Sequence, residues 1–174
     1  MYIAKKLRKE NITAYIIYMF QVEDMLRACQ LDMEQVERSY LARFGYEETL
    51  KQEAYEWYAA LIRMMKEEGC QEKGHVQVVK ATLALLYDRH CELMEDTKQA
   101  TYHACYYKAL PNIVALRAHG GDKARNEVEN CLEAIYGFTL LKMKGQSPSQ
   151  QTCEAITPIT RWMEMLSQLY ERAE

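Results

Sequence analysis

The stretch Asn11 to Cys29, NITAYIIYMFQVEDMLRAC, constrains the fold of this chain more than any other. Ile12, Tyr15, Met19, Val22, Leu26 and Cys29 recur at helical spacing, and Ile16, Ile17, Tyr18 and Phe20 widen that stripe until little polar face remains. A helix apolar around most of its circumference has to be surrounded by other helices, which a chain of 174 residues offers only at its centre. Its second half nevertheless carries Gln21, Glu23 and Asp24. Gln21 and Glu23 interrupt the apolar run before it reaches the roughly 18 to 20 residues of a membrane span. Those polar side chains are the first candidates for a site.

The remaining sequence supplies the surrounding helices. Only 7 Gly and 3 Pro punctuate it, and no segment sustains apolar-polar alternation, so the chain reads as all-α. Met1 to Glu10 is a short lead-in where Lys5, Lys6, Arg8 and Lys9 crowd together, and Asn11 caps the first long helix. Cations ahead of a helix N-terminus are disfavoured by its dipole; two readings stand, an anion or acidic partner bound there and, more often for such a cluster, a solvated end. Asp32 followed by Gln35 has the capping-box pattern and opens a helix from Met33 to Phe44 that stops at Gly45. Leu50, Ala54, Trp57, Tyr58, Leu61 and Met65 mark a third helix ending near Gly69.

After the polar turn Gly69 to Gly74, the most regular helix places Val76, Val79, Leu83, Leu86 and Leu93 on one seam, with His90 on its remaining step. Asp96 and Gln99 form a fresh cap, and the next helix carries Tyr102, His103, Cys105, Tyr106, Tyr107 and Leu110 as far as Pro111. Proline removes a donor and crowds the preceding turn, so a kink or break is expected before Ile113 to His119 continues to the Gly120-Gly121 stop. Asp122 opens a sixth helix with Val128, Cys131, Leu132, Ile135 and Phe138 as its stripe. Gly137 within it costs about 1 kcal/mol relative to alanine, which a close backbone crossing would explain. Ser147-Pro148 signals the start of the last helix, running to about Glu171, with Pro158 expected to bend or split it. The architecture expected is a single all-α domain, 1–174, of six or seven helices, the long ones antiparallel and built around 11–29.

Apolar residues make up 49% and charged residues 27%, an ordinary globular balance. The net charge of -3 argues against a general nucleic-acid binder. The N-terminus lacks the apolar core of a signal peptide, so the expected location is cytoplasmic, with no membrane partner. None of the 6 Cys falls in a Cys-x-x-Cys pair, and most sit among apolar residues, which is the pattern of reduced structural thiols.

Catalytic motifs are missing: no Gly-rich phosphate loop, no Gly-x-Gly-x-x-Gly, no His-Glu-x-x-His, no Gly-x-Ser-x-Gly. No catalytic residue, metal ligand or cofactor is therefore assigned. The single Glu-x-x-His match, Glu72 to His75, straddles Gly74 in a turn and does not face two ligands inward as a metal-binding bundle needs. Polar groups on apolar faces remain. Glu23 lies a turn from Met19 and Leu26, where a carboxylate needs a partner, and Arg117, Arg27, Arg89 and Lys108 are partners by type. An arginine partner would mean architecture; an open cavity with His90 or His103 beside it would mean a site. Tyrosine is the outlier, with 13 against 3 Phe, and tyrosines with apolar bodies and polar tips suit a wet pocket or a helix interface. The candidate ligand-binding set is Glu23, His90, Tyr102, His103, Tyr106 and Arg117.

YIAKKLRKENITAYIIYMFQVEDMLRAC at the start, YYKALPNIVALR in the centre and NEVENCLEAIYGFTLLKMK later resemble domain of unknown function family 4924. The resemblance spans most of the chain in the same order. It implies an all-helical protein of Bacteroides-type bacteria, and carries no reaction, cofactor or catalytic residue. Three functions stay open: a non-enzymatic module that self-associates or binds a protein partner, using the Trp162, Met165 and Leu169 side of the last helix; a small-molecule binder with a Tyr- and His-lined pocket; and, behind these, a metal-dependent enzyme using Glu23, His90 or His103.

Overall fold

A computed structural model describes residues 2–43, 47–119 and 125–171. Eight α-helices follow one another among them: α1 Tyr2–Glu10, α2 Ile12–Ala28, α3 Met33–Ser39, α4 Glu48–Glu67, α5 Gln77–Glu95, α6 Ala100–His119, α7 Glu127–Met143 and α8 Gln150–Glu171. The helix expected from Met33 to Phe44 ends earlier, at Ser39, because Tyr40 leaves helical geometry (φ -120°, ψ -61°) and a 3-10 turn, Leu41–Arg43, follows. No strand occurs among the described residues. The class is all-α as expected, with more than the six or seven helices that the sequence suggested. No helix among the described residues is long and apolar enough to cross a membrane.

The additional helix is the lead-in. Lys5, Lys6, Leu7, Arg8 and Glu10 are all good helix formers, and burial of Ala4 with packing of Leu7 on the core anchors α1. This reverses the electrostatic argument, because Arg8 and Lys9 occupy the last turn of α1, where the helix dipole favours cations. Asn11 ends α1 and caps α2. Its Oδ1 accepts from Ala14 N–H at 2.9 Å and from the Thr13 and Ser167 hydroxyls at 2.9 and 3.1 Å, which ties this junction to α8.

On α2, Tyr15, Ile16, Met19, Phe20, Val22 and Leu26 are all buried. The helix packs against α1, α5, α7 and α8. It is not the sole hub, however: α8 packs against α2, α5, α6 and α7, and buries Ile159, Trp162, Met163 and Leu166. Trp162 is fully buried, with Met165 and Leu169 packed on the core beside it, so this side of the last helix is no free docking face. A helix with an apolar stripe reads as surface-seeking or core-seeking only once its neighbours are known.

Element boundaries shift for local reasons. Pro111 and Pro158 lie inside α6 and α8 without breaking them. The carbonyl that Pro111 leaves without a helical donor is that of Tyr107, on the exposed side of α6. Asp96 organises a turn, accepting from Lys98 N–H at 3.0 Å, and α6 begins only at Ala100. Ser149, rather than Ser147, caps α8 by accepting from Thr152 N–H at 3.1 Å. Asn126 caps α7 through Glu129 N–H at 2.9 Å; the starts and stops expected at Gly45, Gly120, Gly121 and Asp122, and Phe44, lie outside the described residues. The six thiols are free, and burial pushes the Cys131 thiol up to about 12, which makes it inert.

Gly137 is not a crossing point. A Cβ built there would meet no heavy atom within 4 Å. Gly137→Ala is therefore expected to stabilise the protein by about 1 kcal/mol through helix propensity alone, raising the melting midpoint by about 3 °C. A fall in the midpoint would show that the space is not available.

Candidate functional site

Glu23 is fully buried on α2, and none of its expected cationic partners holds it. Arg27 donates to Asp24 Oδ1 at 2.9 Å and to the carbonyls of Cys70, at 3.1 Å, and Gly74. Arg89 binds Glu92 at 2.9 Å and the Leu169 carbonyl at 3.3 Å, Arg117 donates to the Arg125 carbonyl at 3.4 Å, and Lys108 is exposed on α6. The partner is His75. Its Nδ1 lies 2.5 Å from Glu23 Oε2, while Val76 N–H donates to Oε1 at 2.9 Å.

The loop between α4 and α5 puts His75 there. Gly69 and Gly74 adopt φ of +70° and +83°, values at which glycine has no steric cost, and the Arg27 guanidinium gathers two of the loop carbonyls. Val76 then becomes the N-cap of α5, so the Glu23 carboxylate sits at the positive end of that helix. The Glu72 to His75 spacing is thus part of a turn, as expected, but the turn delivers the histidine to the core.

The far side of the ring is open to other groups. His75 Nε2 is 3.6 Å from Glu133 Oε1 on α7, and Arg125 holds that same oxygen. The imidazole stacks on Phe20 with ring centroids 4.1 Å apart. Tyr136 meets Phe20 edge-on at 5.9 Å and donates its hydroxyl proton to Asp24 Oδ2 at 2.9 Å. Burial works against a charged imidazole, but the hydrogen bonds and charges of Glu133 and Glu23 outweigh it and raise the His75 pKa to about 9. His75 is consequently an imidazolium at neutral pH, its Nδ1–H donating to Glu23 and its Nε2–H facing Glu133. Phe20, Asp24, His75, Glu133, Tyr136 and Gly137 line a cleft of about 240 Å³.

The six residues singled out in the sequence do not form one pocket. His90, Tyr102 and Tyr106 come together with Trp162 in a separate buried cluster. Trp162 Nε1–H donates to the Tyr102 hydroxyl at 3.0 Å, and that hydroxyl is 2.7 Å from His90 Nδ1. Indole can only donate, so the Tyr102 proton goes to His90 Nδ1 and the His90 Nε2–H faces Glu127 Oε1 at 3.4 Å. The Glu127 carboxyl is held below its ordinary range by that His90 contact, against the effect of burial, with Arg117 contributing from farther away. The Tyr106 ring packs on both His90 and Trp162, with centroids 5.0 Å from each. His103 does something else: its Nε2 bonds the Leu93 carbonyl at 2.9 Å, satisfying the end of α5.

Glu23 thus belongs with His75, Glu133, Asp24 and Tyr136, of which the sequence singles out Asp24 as a polar intruder and offers His75 only in the Glu72 to His75 match set aside as a turn. The available signal was a histidine directly ahead of the regular seam beginning at Val76, where a helix N-terminus would seat a carboxylate. Chemically, the arrangement offers a fixed imidazolium, two carboxylates and two ring faces around a small space. Among the described residues no three His, Cys, Asp or Glu side chains are grouped to hold a metal ion.

No curated protein and no solved structure matches this chain. A family model does, over residues 1–174, under the description "Domain of unknown function (DUF4924)". The three motifs at 2–29, 106–117 and 126–144 fall within that match, and the chain belongs to the DUF4924 family.

Proposed function

We propose that this protein is a non-enzymatic helical module that binds a small molecule in the cleft beside His75. One observation carries the reading: a fully buried carboxylate, Glu23, is committed to fixing an imidazole whose other edge borders a cleft. A buried ion pair contributes little net stability over an apolar pair of the same volume, so its value lies in fixing the ring, and with it the Glu133 and Phe20 walls of the cleft, in one position. The empty motif search favours binding over turnover, and six free thiols suit a reducing compartment such as the cytoplasm. Fragment mixtures added to ¹⁵N-labelled protein test this. A binding fragment is expected to shift the His75 ring nitrogens and the Gly137 amide, and His75→Gln to remove the response with the fold retained. Fragments that bind elsewhere and leave His75 unmoved count against the cleft.

Self-association is the second reading, and a different surface supports it. On α6, Ala104, Tyr107, Pro111, Val114 and Ala118 are all exposed along one side, Tyr107 and Val114 each at 59%. Size-exclusion chromatography with light scattering is expected to give a dimer that Val114→Glu dissociates. A strict monomer at high concentration removes this reading.

A further inference from the structure

A second cavity, of about 330 Å³, lies between α6, α7 and α8. Its lining is almost wholly apolar and includes Leu116, Phe138, Leu141, Ala155, Ile156 and Ile159. Gly137 borders both this groove and the His75 cleft, and the space where its side chain would stand is open. The two cavities therefore abut across a bare stretch of α7. Each alone is near or below the roughly 300 Å³ at which ligand sites begin, whereas the two joined fall within the usual range. A helix-interior glycine with no crowding neighbour has no packing reason to be there; a passage across the helix is a reason.

The polar end has a preferred sign. Asp24 and Glu133 are the carboxylates bordering the cleft, and Phe20 and Tyr136 offer ring faces. The His75 charge is already balanced by Glu23 and Glu133. The His75 and Arg125 contacts of Glu133 both fall on Oε1, and its side chain is 35% exposed. Asp24 is paired with Arg27 and Glu133 with Arg125 and His75, so the preference comes from donors and acceptors. Both His75 nitrogens face carboxylates and the Tyr136 hydroxyl donates to Asp24, which leaves an anionic head no donor, while a donating cationic head finds carboxylate lone pairs and the ring faces. We infer that the two cavities form one site for an amphipathic amine, its ammonium head between Asp24, Glu133 and Tyr136 and its alkyl chain laid across Gly137 into the groove. This rests on the reading of the His75 cleft as a ligand site and adds the class of ligand.

Ethyl-, butyl-, hexyl- and octylammonium chloride, with sodium octanoate as the anionic control, are titrated into ¹⁵N-labelled protein while the Gly137 amide and His75 ring are followed. Affinity is expected to tighten by up to about fourfold for each methylene that enters the groove. Octanoate is expected to shift neither signal at the same concentrations. Ala155→Leu, on the α8 wall of the groove, should return octylammonium to the affinity of ethylammonium and leave ethylammonium unchanged; Leu141→Trp, exposed on the α7 wall, serves where the first variant does not fold. An affinity independent of chain length, or octanoate binding as tightly as octylammonium, overturns the inference. If no amine acts but fragments still shift His75, the amphipathic ligand falls and the cleft stands; if His75 responds to nothing, both fall.

Discussion

Glu23→Gln is expected to destabilise the protein by about 3 kcal/mol near pH 6, as removal of one member of a buried ion pair does. The glutamine keeps the shape and a hydrogen bond to Val76 N–H, but leaves the His75 imidazolium without its closest counter-charge. The pH dependence identifies the cause. His75 is raised to about 9 in the folded chain and is about 6.5 when unfolded, so the pair contributes fully below pH 6.5 and is lost as pH rises through about 9. Urea denaturation of both proteins at pH 6 and pH 10 should show the difference shrinking at the higher pH. A difference that stays constant across that window would mean that Glu23 acts only as a neutral-type hydrogen-bond acceptor. Glu133 shares the imidazolium, so Glu133→Gln should show the same sign with a smaller size, its side chain being 35% exposed.

The Tyr102→Phe substitution is expected to cost about 3 kcal/mol, although it removes a single oxygen. That oxygen accepts the Trp162 indole proton and supplies the proton for His90 Nδ1, and Trp162, His90 and Tyr102 are all buried. Two polar groups are orphaned at once, each at about 1 to 3 kcal/mol. Trp162→Phe, by contrast, removes the donor and leaves the Tyr102–His90 bond in place, but opens a cavity in the centre of α8. The double variant Tyr102→Phe with Trp162→Phe should be less destabilised than the two singles added together, because the orphaned indole is gone. Strict additivity in equilibrium denaturation would show that the three groups do not act as a unit.

Much of the bundle was legible in the chain itself. The apolar circumference of α2, the α5 seam with His90 on it, and the caps at Asn11 and Asp32 are consequences of spacing within one element. The local periodicity that makes these helices also decides which of their faces is buried. The errors cluster where a second element decides. The stripe on the Trp162 side of α8 has no partner within its own stretch of sequence and so points outward as a docking face, whereas α2, α5, α6 and α7 close over that helix. At Gly137 helix propensity points to a close crossing but cannot say whether a missing side chain serves contact or space, and the structure shows space.

The site shows the same division more sharply. That Glu23 would be buried and need a partner followed from its position on an apolar helix, because an unpaired carboxylate in that environment is too costly to persist. That the partner is His75, 52 positions away, could not follow from it. The pairing depends on two glycine turns, an Arg27 clamp and the start of α5 together carrying one loop residue into the core. Charge, periodicity and capping are properties of neighbours along the chain, and they determined the class of fold and the need at Glu23. The cleft, the direction in which His75 faces and the meeting of two cavities at Gly137 are properties of helices brought together from distant parts of the chain, and only their packing decided them.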